Sequence, residues 1–212
     1  MAQLVNKNIM KFSKKQIERY SRQIILKKIG VHGQKKLLKS SVLIVGAGGL
    51  GSPIAIYLAS IGVGKIGIID KDSIEISNLA RQILFSTKDI KKNKSSIAIN
   101  KLKKINPDIK LESFSKKLTE KNIKGLAKNF DLIVDGSDNF RTRFLINDYC
   151  LKNKKILVSG AISKFDGQVY TFNFLKKNSP CLKCFIPKIP PNPDIDNCEF
   201  DGVLGPLAGI IG

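Results

Sequence analysis

The chain has 212 residues, 42% of them hydrophobic, which is enough for one α/β domain with a substantial core and does not require two. No apolar run approaches the roughly 20 residues needed to span a bilayer, and the Lys-rich N-terminus lacks a secretory core, so a cytoplasmic chain with no membrane partner is expected. The formal charge of +20 (37 Lys and Arg against 17 Asp and Glu) comes from lysines spread along the whole chain. That pattern fills solvated faces; it favours an acidic protein partner over a nucleic acid.

Residues 1–12 read as a frayed arm. Ser13 can cap a helix from Lys14 to Lys28, with Ile17, Tyr20, Ile24 and Ile25 on one face, and Gly30 ends it. A short basic helix from Gln34 to Ser40 leads into the first strand, Val42–Val45. His32, the single histidine, reads as a surface or packing residue and leaves no His-based metal cluster.

The stretch from Ser41 to Gly51 is a β-branched run that feeds straight into a glycine turn, and Ser52 to Ile61 continues as a helix. Gly46 allows the tight turn, Gly48 lets backbone approach a ligand, and Gly51 lets helix pack on strand. Free N–H groups and the dipole at the helix start favour an anion. The next strand, Ile66–Asp70, closes on an acid at the distance from the glycines that suits a ribose contact. A nucleotide site follows from the combination; a structural βα turn that binds nothing is the alternative.

Asp72 to Gln82 is polar and irregular. A helix from Lys94 to Ile105 is stopped by Asn106-Pro107. Then come a strand at Ile109–Ser115, a helix at Thr119–Lys128 and a buried strand at Asp131–Asp135. A helix at Phe140–Leu151 and strands at Lys155–Ser159 and Gly167–Phe174 complete the pattern. The alternation predicts a Rossmann-like, doubly wound α/β fold: a mostly parallel sheet with helices on both faces and N-terminal helices before it. The glycine turn, Asp70 and Asp138 all fall at carboxyl ends of strands and can share one cleft. Asp138 has an alternative role as cap of the helix that follows it. Residues 176–202 are rich in Pro, Asn and Cys and read as a crossover loop. It carries Cys181 and Cys184 as a C-x-x-C pair with metal-ligand spacing, while Cys150 reads as a small core residue.

Taken together, Arg19 to Ile24, the Gly46–Gly51 turn, Gly62-Val63-Gly64, Asp70-Lys71-Asp72, Ser77 to Gln82, Lys94, Asn106-Pro107, Asp135 to Phe140 with Arg143, Pro180 to Cys184 and Gly202 to Pro206 form a specific set. On these motifs the chain resembles the HesA/MoeB/ThiF family, relatives of the ubiquitin-activating enzymes, from about residue 17 onward. The resemblance implies a single ATP-binding adenylyltransferase domain over residues 1–212. Its reaction is Mg²⁺-dependent adenylylation of the C-terminal Gly-Gly carboxylate of a ubiquitin-like sulfur carrier of the thiamine or molybdopterin type. Pyrophosphate leaves, and a sulfur donor, which a separate protein can supply, converts the acyl-adenylate to a thiocarboxylate.

By the same resemblance Gly49 and its neighbours approach the phosphates, and Asp70 binds the ribose. Ser77, Asn78, Arg81 and Gln82 line the nucleotide, Arg81 and Lys94 counter phosphate charge, Asp138 holds Mg²⁺ and Asn139 sits beside the nucleotide. Arg22 reaches into the partner's site, which implies a homodimer. Cys181 and Cys184 are half of a four-cysteine zinc site whose second C-x-x-C is absent from the chain up to Gly212, so the domain is expected to lack its C-terminal segment. Cys198 is a third zinc ligand, forms a covalent link with the carrier, or is an inert loop cysteine. Rival readings are a tRNA-modifying branch of the superfamily, a nicotinamide-dependent oxidoreductase, and a binding module without activity.

Overall fold

The computed structural model describes residues 12–188 and 202–212. The chain begins with α1 (Lys14–Ile24) and α2 (Gly30–Lys39), followed by β1 (Ser41–Val45), α3 (Gly51–Ser60) and β2 (Lys65–Ile69). Next come α4 (Lys94–Ile105), β3 (Lys110–Phe114), α5 (Glu120–Ala127), β4 (Leu132–Asp135) and α6 (Phe140–Lys152). The hairpin of β5 (Ile156–Ser163) and β6 (Asp166–Asn173) and the short helices α7 (Leu182–Phe185) and α8 (Gly205–Ile211) complete it. The sheet order is β3-β2-β1-β4-β5-β6, with β1 to β5 parallel and β6 antiparallel to β5.

Central strands are apolar along most of their length because both of their faces are covered. In β1, Val42 and Ile44 join Ile66, Ile68 and the small residues Ala55, Ala59 and Ala98 of α3 and α4. Leu43 and Val45 point the other way, into a layer with Ile133, Leu157 and Phe144. Each large side chain so buried contributes about 1.5–3 kcal/mol of apolar transfer.

Three motif fragments meet at one packing node below the sheet. Tyr20 of α1 is fully buried, its hydroxyl accepts from Asn106 Nδ2 at 2.9 Å, and the same amide donates to the Ala59 carbonyl at 2.8 Å. A Cβ on Gly62 would stand 2.6 Å from the Tyr20 ring, so the aromatic needs glycine opposite it. Arg19 Nη1 donates to the Ile105 carbonyl at 2.8 Å.

Three boundaries differ from expectation by several residues. The first helix stops at Ile24 instead of Lys28, and Gly30 opens α2 instead of merely ending α1. Its φ of +57° lets the chain reverse through turns at 25–29, so that α2 can pack back on α1. β5 runs on from Ser159 to Ser163 because β6 pairs with it along its whole length. His32 is exposed on α2, as a surface residue. Within the expected crossover, Leu182–Phe185 is helical; residues 189–201 and the arm at 1–11 lie outside the described residues.

The loop between β2 and α4 is anchored by Asp89, which accepts from Ser86 Oγ at 2.7 Å and pairs with Lys101 of α4. Burial pushes this carboxyl up, but Lys101 and the Ser86 donors outweigh it and hold it down to about 2. A depressed carboxyl contributes stability that is present above its unfolded value of about 3.9 and is lost as pH falls toward 2. Asp89→Asn is therefore expected to lower the urea unfolding free energy at pH 7 by about 2 kcal/mol. The difference from the parent chain should shrink in titrations taken from pH 5 to pH 3.

Candidate active site

The glycine turn between β1 and α3 is shaped by two clashes that only glycine avoids. Gly46 has φ +91°, and a Cβ on it would lie 2.8 Å from the Gly136 carbonyl oxygen; a Cβ on Gly51 would lie 1.9 Å from the Gly46 carbonyl oxygen. Gly48 differs: a Cβ there would meet nothing nearer than Gln82 Nε2 at 3.7 Å. The fold does not require glycine at 48, and that position lines a cleft.

Asp70 follows β2 and ties two loops together. Its Oδ2 accepts the Ala47 N–H at 2.8 Å and its Oδ1 the Asp72 N–H at 2.8 Å. Burial pushes this carboxyl up, against the opposing pull of those donors and of Lys94. Lys94 is the first residue of α4; it is only 8% exposed, and its Nζ lies 3.9 Å from Asp72 Oδ2.

At the end of β4 the fully buried Asp135 accepts from Ser137 Oγ at 2.6 Å, the Ser137 N–H at 3.0 Å and Ser159 Oγ at 2.8 Å. Arg143 donates to the carbonyls of Ser137 at 2.6 Å and Gly160 at 2.7 Å. This frame presents Asp138, which is exposed and accepts from Asn139 Nδ2 at 3.2 Å. The cap of α6 is Asn139, whose Oδ1 accepts the Thr142 N–H at 2.9 Å; the capping alternative for Asp138 does not hold.

These elements enclose one cleft beyond the carboxyl ends of β1, β2 and β4. Its main body, about 640 Å³, is lined by Asp72, Asn78, Lys94, Lys117, Asp138 and Arg141. A recess of about 140 Å³ continues to Gly46, Gly48, Asp70 and Asn139. A further pocket of about 280 Å³ opens on the other side of Asp138, lined by Arg143, Ser159, Gln168 and Tyr170. Lys117 and Arg141 carry no local motif; Lys117, just past β3, and Arg141, in the first turn of α6, reach the cleft from elements far apart in sequence.

Other expected residues stand behind the turn. A Cβ on Gly49 would be 3.2 Å from Ala208 Cβ and 3.6 Å from Arg81 Cγ, so α8 and Arg81 cover that glycine. Gly51 packs against Gly46 and does not line the cleft. Arg81 Nη1 donates to the Ser77 carbonyl at 3.1 Å, and Ser77 is exposed. Gln82 is 3% exposed, and its Oε1 has no hydrogen-bond partner among the described residues. Arg22 lies exposed on α1, a helix anchored at the amino ends of β2 and β3, away from the cleft of its own chain.

Cys181 and Cys184 place their sulfurs 3.8 Å apart, and Cys198 lies outside the described residues. Among the described residues no three His, Cys, Asp or Glu side chains group as a metal site. Cys150 is buried in the core, and burial pushes its thiol up to about 12. No helix among the described residues is long and apolar enough to cross a membrane.

Residues 20–212 match the model of the ThiF family. The chain is 41% identical over 206 residues to the sulfur carrier protein adenylyltransferase of Thermus thermophilus, covering 96% of this chain and 76% of that protein. It is 44% identical over 204 residues to the adenylyltransferase and sulfurtransferase MOCS3 of Anopheles gambiae, covering 96% of this chain but only 46% of the relative. A crystal structure of Escherichia coli MccB with ATP superposes with a TM-score of 0.72 at 26% identity, over 91% of this chain and 59% of that one.

The contrast between the glycines gives a direct expectation. Gly51→Ala should cost about 3 kcal/mol or prevent folding, because the new methyl overlaps backbone. Gly48→Ala should change stability by less than about 1 kcal/mol. Thermal unfolding followed by circular dichroism distinguishes the two.

Proposed function

The chain belongs to the ThiF family, and from that premise we propose that it adenylylates the C-terminal Gly-Gly carboxylate of a ubiquitin-like sulfur carrier, of the thiamine or molybdopterin type, using ATP. The observation that carries this reading is the place of Asp138, between a polar cleft floored by the glycine turn and a second pocket on its far side. An ATP site and an entrance for an extended peptide end would then meet at that residue. The name of the Thermus relative and the ATP-bound MccB support the same chemistry.

In the reaction a carboxylate oxygen of the carrier attacks the α-phosphorus, the bond from that phosphorus to the bridging oxygen breaks, and pyrophosphate leaves with the electron pair. No protein nucleophile is needed. Catalysis comes from alignment and from cations facing the charge that builds on the leaving group. Gly48 lets the phosphates approach the backbone, and the buried Lys94 supplies a fixed positive charge. Arg81, anchored on the Ser77 carbonyl and packed over Gly49 behind the turn, is assigned as the second cation on the family resemblance. Asp70 offers its remaining lone pairs to the ribose hydroxyls, with Asn78 and Gln82 alongside, the latter with a buried oxygen still to be satisfied.

Asp138 suits Mg²⁺, which keeps most of its water and binds through one or two carboxylates plus phosphates, where it would neutralise phosphate charge. Cys181 and Cys184 suit zinc as two of its ligands: their 3.8 Å separation is about the edge of a tetrahedron with 2.3 Å Zn–S bonds. Arg22, exposed and remote from its own cleft, is assigned to the cleft of a second copy in a homodimer.

Asp138→Ala is expected to fold like the parent chain and to lose ATP–pyrophosphate exchange in the presence of carrier; full exchange by this variant would remove its metal role. The dimer has its own assay. Arg22→Ala and Asp138→Ala chains, each inactive alone, should on mixing recover about a quarter of the parent activity, because half of the pairs are mixed and each mixed pair holds one complete site. An Arg22→Ala chain active on its own would place Arg22 outside the reaction, and no recovery after subunit exchange would place it in the cleft of its own chain.

A further inference from the structure

We infer that Asn93 is a positioning residue, whose carboxamide sets Lys94 and the Asp70–Asp72 backbone in place for the nucleotide. The inference rests on the reading of the cleft as an ATP site. Asn93 immediately precedes α4, and its Oδ1 accepts the Ser96 N–H at 3.0 Å, an ordinary N-cap. The same oxygen accepts from Ser95 Oγ at 2.8 Å and from Ser115 Oγ, just past β3, at 2.8 Å. On the opposite side Nδ2 donates to the carbonyls of Asp70 at 3.3 Å and Asp72 at 3.2 Å. The assignment of oxygen and nitrogen is fixed by this network: a flipped amide would face two carbonyls with its oxygen and three donors with its nitrogen.

One side chain thereby joins the loop after β2, the start of α4 and the end of β3. All three segments reach the cleft, through Asp70 and Asp72, through Lys94, and through Lys116 and Lys117 next to Ser115. The backbone reinforces the joint, since Lys94 N–H donates to the Asp72 carbonyl at 2.9 Å and Ser73 bridges to Asn93. Lys94 is buried, and Asp72 at 3.9 Å is the acid with which it pairs, so its place against a phosphate is set mainly by where its backbone is held.

A helix cap alone would be met by any short side chain with an oxygen. The two amide donors are surplus to capping, and they are what the inference turns on. Asn93→Ser and Asn93→Asp keep a capping oxygen and remove both donors. In the full chain, both variants should keep a thermal midpoint within a few degrees of the parent. Their affinity for Mg-ATP, measured by calorimetry, should fall about tenfold, while affinity for AMP changes less than about twofold. Amide hydrogen exchange at residues 72–73 and at Lys94 should quicken without nucleotide.

Equal losses for ATP and AMP in step with a lowered midpoint would make Asn93 merely architectural and overturn the inference. So would unchanged ATP affinity and unchanged exchange. If the parent chain itself binds no ATP, the proposed function fails, and the exchange rates alone decide whether Asn93 holds these segments together: quickened exchange supports that, unchanged exchange overturns it.

Discussion

The Asp70 carboxylate accepts one backbone N–H from the glycine turn after β1 and another from the loop after β2, and the geometry of the cleft depends on that pair of hydrogen bonds. Apart from it, the turn is tied by the Gly46 N–H to the Ile69 carbonyl of β2 at 2.9 Å and by the Ser52 N–H of α3 to the Gly48 carbonyl at 3.0 Å. A half-buried carboxylate with two N–H donors is a stiff joint, because releasing either donor leaves a polar group short of its partner in a partly desolvated place. β4 repeats the device: Asp135 holds the Ser137 backbone and two serine hydroxyls, and so fixes the loop that presents Asp138. Acids at the ends of β2 and β4, the strands on either side of β1, serve the frame before they serve any ligand.

Much of the fold was legible because both faces of the sheet are covered, which leaves the strands as apolar runs flanked by helices with clear caps. Ser13 and Asn106 mark their helix ends as expected. The α1–α2 turn was not legible, because Gly30 marks a break equally well whether a helix ends or begins there. Part of the site was legible as well: Gly46, Gly48, Asp70, Lys94, Asp138 and Asn139 line adjoining parts of one cleft. Lys117 and Arg141 were hidden among many lysines and arginines, since which cation faces the cleft is decided by tertiary placement. Asn93 was hidden for a different reason. Its cap is visible in sequence, but its amide donors act on carbonyls 21 and 23 residues away.

The motif residues divide by location. Arg19, Tyr20, Gly62 and Asn106 meet at the amino ends of the strands, where they pack. Gly48, Lys94 and Asp138 stand at the carboxyl ends, where the fold leaves space. A chain with a formal charge of +20 nevertheless lines this cleft with both signs, so its selectivity for an anion comes from which cations are immobilised.

Tyr20 has one more consequence, and it concerns rotational phase. With its ring against Gly62 and its hydroxyl held by Asn106, α1 cannot roll about its own axis. Each residue of an α-helix advances the side-chain direction by about 100°, so Arg22, two residues on, emerges about 200° around from that buried ring. The tyrosine acts as an index mark on a dial. It determines the compass bearing at which a charge leaves the molecule, and an insertion of one residue between the two would swing that bearing by more than a quarter turn while leaving every contact of the cleft intact.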